Sequence, residues 1–303
     1  MTGPRPSALR TWLLAIRPRT LPAALASVAV GLGAALAVGA PFRPDTALGC
    51  LAIALLLQVV ANLANDLSDF RRGADTPDRA GPTRVAAAGL VSERSLEVAI
   101  GVTIALAGCV GLWLVTVGGP VLLVLGLLAV GSALAYTGGP WPYGYRGLGE
   151  LFVFVFFGLV AVVGTAYLQA GRLEPLFVAA AIPPGALITA ILVVNNLRDI
   201  PTDAAAGKRT LAVVFGRAFA QREWLALVLV AYLVPPLLFA AGGGLGMALP
   251  LLSAFLVAPL RATILGFRDP RELNAVLAGT ARLALLFGLL FATGLALGPR
   301  TLP

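Results

Sequence analysis

Two short stretches of this sequence hold most of the side chains able to do chemistry. The first carries Asn62, Asn65, Asp66, Asp69, Arg72 and Asp75, followed by Asp78, Arg79 and Arg84. The second carries Asn195, Asn196, Arg198, Asp199, Asp203, Lys208 and Arg209. On a helix, Asn62, Asp66 and Asp69 stand at i, i+4, i+7, and Asn195, Asp199 and Asp203 at i, i+4, i+8, so each trio projects from one face. Like charges on one face repel, and carboxylates at a membrane helix end call for cations. The chain has no histidine, and its two cysteines, Cys50 and Cys109, sit singly in apolar runs and read as small buried hydrophobes. An oxygen-only ligand set suits Mg2+ over zinc or copper. Because Mg2+ usually binds through one or two carboxylates plus substrate phosphates, the paired clusters read as a diphosphate clamp. Arg72, Arg84, Arg198, Lys208 and Arg209 add positive charge beside them, and guanidinium forks suit phosphate oxygens.

The elements that must position these groups are apolar. Of 303 residues, 59% are hydrophobic and 12% charged, with a mean hydropathy of +0.92. Soluble domains carry about 25% charged residues, so a bilayer protein is expected and disorder is excluded. Lack of histidine also removes Ser-His-Asp and Cys-His nucleophiles, the HExxH zinc site and histidine-ligated haem. Nine apolar runs approach the roughly 20 residues that a membrane helix needs: 21–40, 46–61, 95–117, 120–136, 148–170, 175–194, 224–241, 245–260 and a weaker one at 283–297. The expected fold class is an all-α membrane protein with nine transmembrane helices. It forms a single domain over 1–303, with motif loops at 62–94 and 195–222.

Of the 22 basic residues, only Arg43, Arg172 and Arg300 fall on one side of this arrangement, and of the 14 acidic ones only Asp45 and Glu174. Lys and Arg in short loops stay cytoplasmic. The N-terminus and both motif loops are therefore expected in the cytoplasm and the C-terminus outside, which an odd number of spans requires. The first apolar run is too long for a signal peptide and reads as a retained anchor. The net charge of +8 then records topology, and nucleic acid is not an expected partner because no recognised binding module is present.

Taken together, the two motifs resemble those of the UbiA-type intramembrane prenyltransferases, most closely those that prenylate 1,4-dihydroxy-2-naphthoate in menaquinone synthesis. The likeness extends to residues 17–22, 81–84, 136–140, 143–145, 148–150 and 207–213. It implies a nine-helix bundle around a central cavity in the cell membrane. It also implies Mg2+, two ions in the family pattern, held by Asp66, Asp69, Asp75, Asp199 and Asp203 against a polyprenyl diphosphate. Asn62 and Asn65 would line the site with Asn195 and Asn196, and Lys208 and Arg209 would neutralise the leaving group. Leu67 and Ser68 stand where many relatives have aromatics, and Trp141 where relatives often carry lysine, with Arg146 as its substitute. Aromatic faces of Tyr136, Tyr143, Tyr145 or Trp141 could steady an allylic cation; as plain sequence, the same residues also suit an interfacial belt. The acceptor implied is dihydroxynaphthoate, with 4-hydroxybenzoate, haem or chlorophyll precursors as alternatives. Two other classes compete: a secondary transporter coupling ions through Asp66, Asp69, Asp199 and Asp203, and a CDP-alcohol phosphotransferase, whose Asp-Gly-x-x-Ala-Arg opening is absent.

Overall fold

The structure is a computed structural model, described over residues 6–75 and 80–298. Asp78 and Arg79 of the first motif stretch, and Arg300, lie outside the described residues. The elements are α1 (Ala8–Ile16), α2 (Leu21–Ala37), α3 (Pro44–Arg71), α4 (Glu93–Gly118), α5 (Val121–Ala135), α6 (Gly149–Ala170), α7 (Pro175–Arg198), α8 (Ile200–Ala205), α9 (Leu211–Phe215), α10 (Arg217–Gly243), α11 (Leu245–Gly266) and α12 (Leu273–Leu297). Among the described residues, eight helical stretches are long and apolar enough to cross a membrane, and α5 is a shorter ninth. The expected count of nine full spans is corrected accordingly. The 15 residues of α5 rise only about 22 Å, short of a hydrocarbon core of roughly 30 Å.

Sequence explains where these helices begin and stop. Pro44 and Pro175 open α3 and α7 at positions where no amide partner is needed, and the Ser92 hydroxyl accepts from Ser95 N at the start of α4. The second run continues well beyond its apolar part, so α3 carries the whole first motif as helix to Arg71. In the second motif α7 ends at Arg198, yet Asp199 N donates to Asn195 O and Asp203 N to Asp199 O, which keeps the three side chains on one face through α8.

The main core lies where α7 is enclosed by α2, α6, α10 and α12. Close approach of α6 to α7 depends on a glycine pair: a Cβ on Gly158 would stand 2.8 Å from Gly185 Cα. Along this contact α6 widens into a π-helical stretch, Phe154–Val163, whose Phe156, Phe157 and Val160 face an interior cavity. By contrast α4 and α5 expose many large apolar side chains, such as Val98, Leu106, Val124 and Leu128. An outer surface of that kind suits lipid. Cys50 is buried as expected, whereas Cys109 is exposed on α4, because an apolar solvent removes the need to bury a thiol.

Candidate active site

A cavity of about 740 Å3 opens among α2, α3, α5, α6 and α7. One face of α3 lines it at helical spacing, from Cys50 through Ile53, Leu57 and Ala61 to Asn65 and Asp69. The nineteen helical steps from Cys50 to Asp69 make this wall roughly 28 Å long. Its far part is apolar, with Leu122, Leu123, Leu127 and Leu168, and only the motif-bearing end is charged.

Asp69 stands at the centre of the charged end, 1% exposed. Its carboxylate accepts from Arg84 Nη2 (3.1 Å), Lys208 Nζ (3.2 Å) and Tyr145 Oη (3.1 Å). Lys208 also lies 3.5 Å from Asp203 Oδ1, so one ammonium bridges the first motif to the second. Gly207 makes this possible: at φ +72° it reverses the chain after α8, and Lys208 N returns to Asp203 O. Burial, then the adjacent Asp69 charge, pushes the Tyr145 phenol well above its usual range; burial alone does the same for Tyr143. Both phenols therefore stay protonated. Arg84, 8% exposed, pairs with Asp75 at 3.4 Å, while its Nη1 is buried without a hydrogen-bond partner. A buried guanidinium nitrogen lining a cavity is a donor held ready for an anion.

Of the expected site residues, Asn62, Asn65, Asp69, Arg84, Tyr136 and Tyr143 line this cavity. So do Tyr145, Asn195, Asn196, Asp199, Asp203 and Lys208. Asn62 is committed to structure, donating to Ile16 O and Thr20 Oγ1 and thereby tying the α1–α2 corner to α3. Asn65 accepts from Thr137.

Asp66 does not line the cavity. It sits about 60° around the helix from Asp69, and its two oxygens accept from the amides of Val85 and Ala86, each at 3.1 Å. Arg198 is buried against Asp199 in a two-pronged pair and bonds Asn195 and Asn274. Arg72 holds the carbonyls of Thr137 and Gly139 and stacks on Tyr145 from outside. Arg146 covers the exposed Trp141 ring, which removes both from the cavity; Arg209 is exposed and contributes its backbone amide to Tyr145 O.

Among the described residues, no three acidic side chains form a ready-made metal cluster. The carboxylates instead face cations: Asp69 and Asp203 share Lys208, and Asp199 faces Arg198. The donor chemistry still fits Mg2+, since carboxylates of both motifs converge where a single cation sits and every donor is oxygen.

Two residues with clear places in the site had not been singled out as site residues. Arg17 lines the cavity 4.0 Å from Asp66 and holds φ 56°, ψ 72°, the sole non-glycine residue with positive φ among those described. Its signal in the sequence is Pro18, which disfavours helix for the residue before it. Glu150 is 7% exposed, and its Oε1 accepts from Asn196 Nδ2 at 2.8 Å. That bond leaves Asn196 Oδ1 for the cavity. Glu150→Ala is expected to lower turnover about tenfold, because an amide free to swing no longer presents a fixed acceptor. Glu150→Gln, whose Oε1 can still accept, should restore most of it; equal steady-state rates for the alanine variant and wild type would refute the role.

Fold and site together define an integral membrane protein whose helices enclose a long chamber for a molecule with an anionic head and an apolar body. The chain belongs to the UbiA prenyltransferase family, whose model matches residues 24–287. It is 42% identical to the 1,4-dihydroxy-2-naphthoate octaprenyltransferase of Mycobacterium tuberculosis, over 95% of this chain and 97% of the relative. It is 40% identical to the Escherichia coli protein of the same name, over 98% of each. In fold it is similar to a UbiA homologue from Archaeoglobus fulgidus bound to GPP and Mg2+, with a TM-score of 0.64, 18% identity and coverage of 94% and 99%. A UbiA homologue from Aeropyrum pernix gives 0.66 at 19% identity, covering 89% and 96%.

Proposed function

We propose that this protein transfers a polyprenyl group from an allylic polyprenyl diphosphate to 1,4-dihydroxy-2-naphthoate, releasing diphosphate and CO2 and giving demethylmenaquinol. The observation that carries the reading is a single chamber in which Arg84, Lys208 and aspartates of both motifs stand at one end of a long apolar wall. Similarity to octaprenyltransferases of that name over nearly the full chain supports the acceptor.

In this reading Arg84 and Lys208 take the diphosphate oxygens, Arg84 through its spare Nη1. Asp69, Asp199 and Asp203 hold Mg2+, while Asp66 and Asp75 fix the loop that carries Arg84. Bound Mg2+ supplies Lewis-acid stabilisation of charge on the departing diphosphate. As the carbon–oxygen bond breaks, its electron pair leaves with the diphosphate. The apolar wall keeps water from the allylic cation, and the faces of Tyr136, Tyr143 and Tyr145 stabilise it. The ring carbon bearing the carboxylate forms the new carbon–carbon bond, and loss of CO2 returns an electron pair to the ring. No imidazole is needed, because the ring hydroxyls already activate the acceptor. The protein acts as one domain with the motif loops in the cytoplasm, which the lopsided placement of Lys and Arg supports.

The test is incubation of the detergent-purified protein with labelled polyprenyl diphosphate and either dihydroxynaphthoate or 4-hydroxybenzoate, in Mg2+ or in EDTA. Expected is a prenylated naphthoquinol with CO2 release in Mg2+ and loss of turnover in EDTA, restored by added Mg2+. Equal turnover in EDTA would sink the metal assignment; product from 4-hydroxybenzoate alone would reassign the acceptor.

A further inference from the structure

Outside the chamber, α2 and α12 leave a groove of about 380 Å3 between them, sharing none of the chamber's lining residues. Its polar rim holds Arg19, just before α2, with Asn274 and Arg282 on α12. Along α12, Ala275, Ala278 and Ala281 lie between Asn274 and Arg282, and Leu285 lies just beyond, so the floor of the groove is apolar. The groove lies level with the acidic motifs, because Asn274 accepts from Arg198 Nη1 at 3.0 Å and donates to Ala80 O at 2.9 Å.

Arg282 stands out on charge. It interrupts the apolar stretch of a helix that crosses the membrane, nine residues after Leu273, or roughly 13 Å along the axis. Side chains on a helix lean toward its N-terminus, which for α12 is the motif-bearing end. The guanidinium therefore reaches back along the groove toward Arg19. Both arginines are exposed, and among the described residues neither has a carboxylate partner; the groove lining contains no acid. Two exposed like charges that share one groove without a counter-ion attract an anion. Guanidinium pairs fit phosphate, and the apolar alanine and leucine floor beside them fits an acyl chain.

We infer that this groove binds an anionic glycerophospholipid, its phosphate between Arg19 and Arg282 and a chain along the apolar floor. The inference needs no prenyl transfer, and its test reads binding alone. Intact detergent-purified protein is examined by native mass spectrometry with phosphatidylglycerol, phosphatidylcholine or inorganic phosphate. Expected is a retained phosphatidylglycerol adduct, about tenfold weaker in the Arg19→Gln/Arg282→Gln double variant. Arg261→Gln, an exposed arginine on α11 outside the groove, should leave the adduct unchanged. Arg282→Lys, which keeps the charge and loses the fork, should weaken it by a few-fold and serves if the double variant fails to fold. Equal retention of phosphatidylcholine, displacement of the lipid by millimolar phosphate, or an adduct indifferent to the groove substitutions would overturn the assignment.

Discussion

Asp69→Ala is expected to lower kcat by about 100- to 1,000-fold or more, the scale at which a preorganised electrostatic group acts on a transition state. Asp69 is where the two motifs meet: it accepts from Arg84, Lys208 and Tyr145 together. Removing its carboxylate frees Arg84 and Lys208 to grip ground-state diphosphate, so KM for the prenyl diphosphate should stay level or fall while kcat collapses. That split separates lost chemistry from lost binding. Asp69→Asn, which keeps the shape and drops the charge, should be nearly as impaired. Steady-state kinetics with labelled prenyl diphosphate decide the matter, together with monodisperse elution in detergent to show that the fold survives. A kcat within a few-fold of wild type would take Asp69 out of the site.

Asp66→Ala should also be strongly impaired, about 100-fold in turnover, through a different cause. Its oxygens accept two backbone amides, Val85 and Ala86, and it is 1% exposed. Hydrogen bonds to a charged group are worth about 1.5–3 kcal/mol each, so the alanine variant should release the segment that carries Arg84. Limited trypsin digestion should then cut after Arg84 much faster than in wild type. In Asp69→Ala the amide anchors at Asp66 persist, and that cleavage should stay slow. An Asp66→Ala protein with wild-type digestion and wild-type turnover would remove the tether; wild-type digestion with lost turnover would place Asp66 at the metal instead.

Much of the fold was legible because its signals are local. Apolar runs of membrane length located the helices, and Pro44 and Pro175 marked starts of α3 and α7. Errors arose where a local pattern met a tertiary demand. Apolar character alone did not reveal that α5 is shorter than the other spans, nor that Cys109 faces outward. Helical spacing marked Asp66, Asp69, Asp199 and Asp203 as candidate site residues, and family membership sets aside the transporter and phosphotransferase readings.

By itself, the sequence determined a membrane bundle, an oxygen-only donor set and two trios, each of one asparagine and two aspartates, at helical spacing. Those follow from composition and from the 3.6-residue period, which sets the angle of each side chain around its own helix. Only tertiary structure decided what occupies that angle. Asp66 and Asp69 are three residues apart, yet one meets backbone amides of residues 85 and 86 and the other meets Lys208, 139 positions away. Arg146 is carried onto Trp141 and out of the site, while Glu150 is brought under Asn196 across 46 residues. Contacts between distant segments depend on how helices pack and loops close, so a residue's neighbours, and with them its role, are settled by the fold.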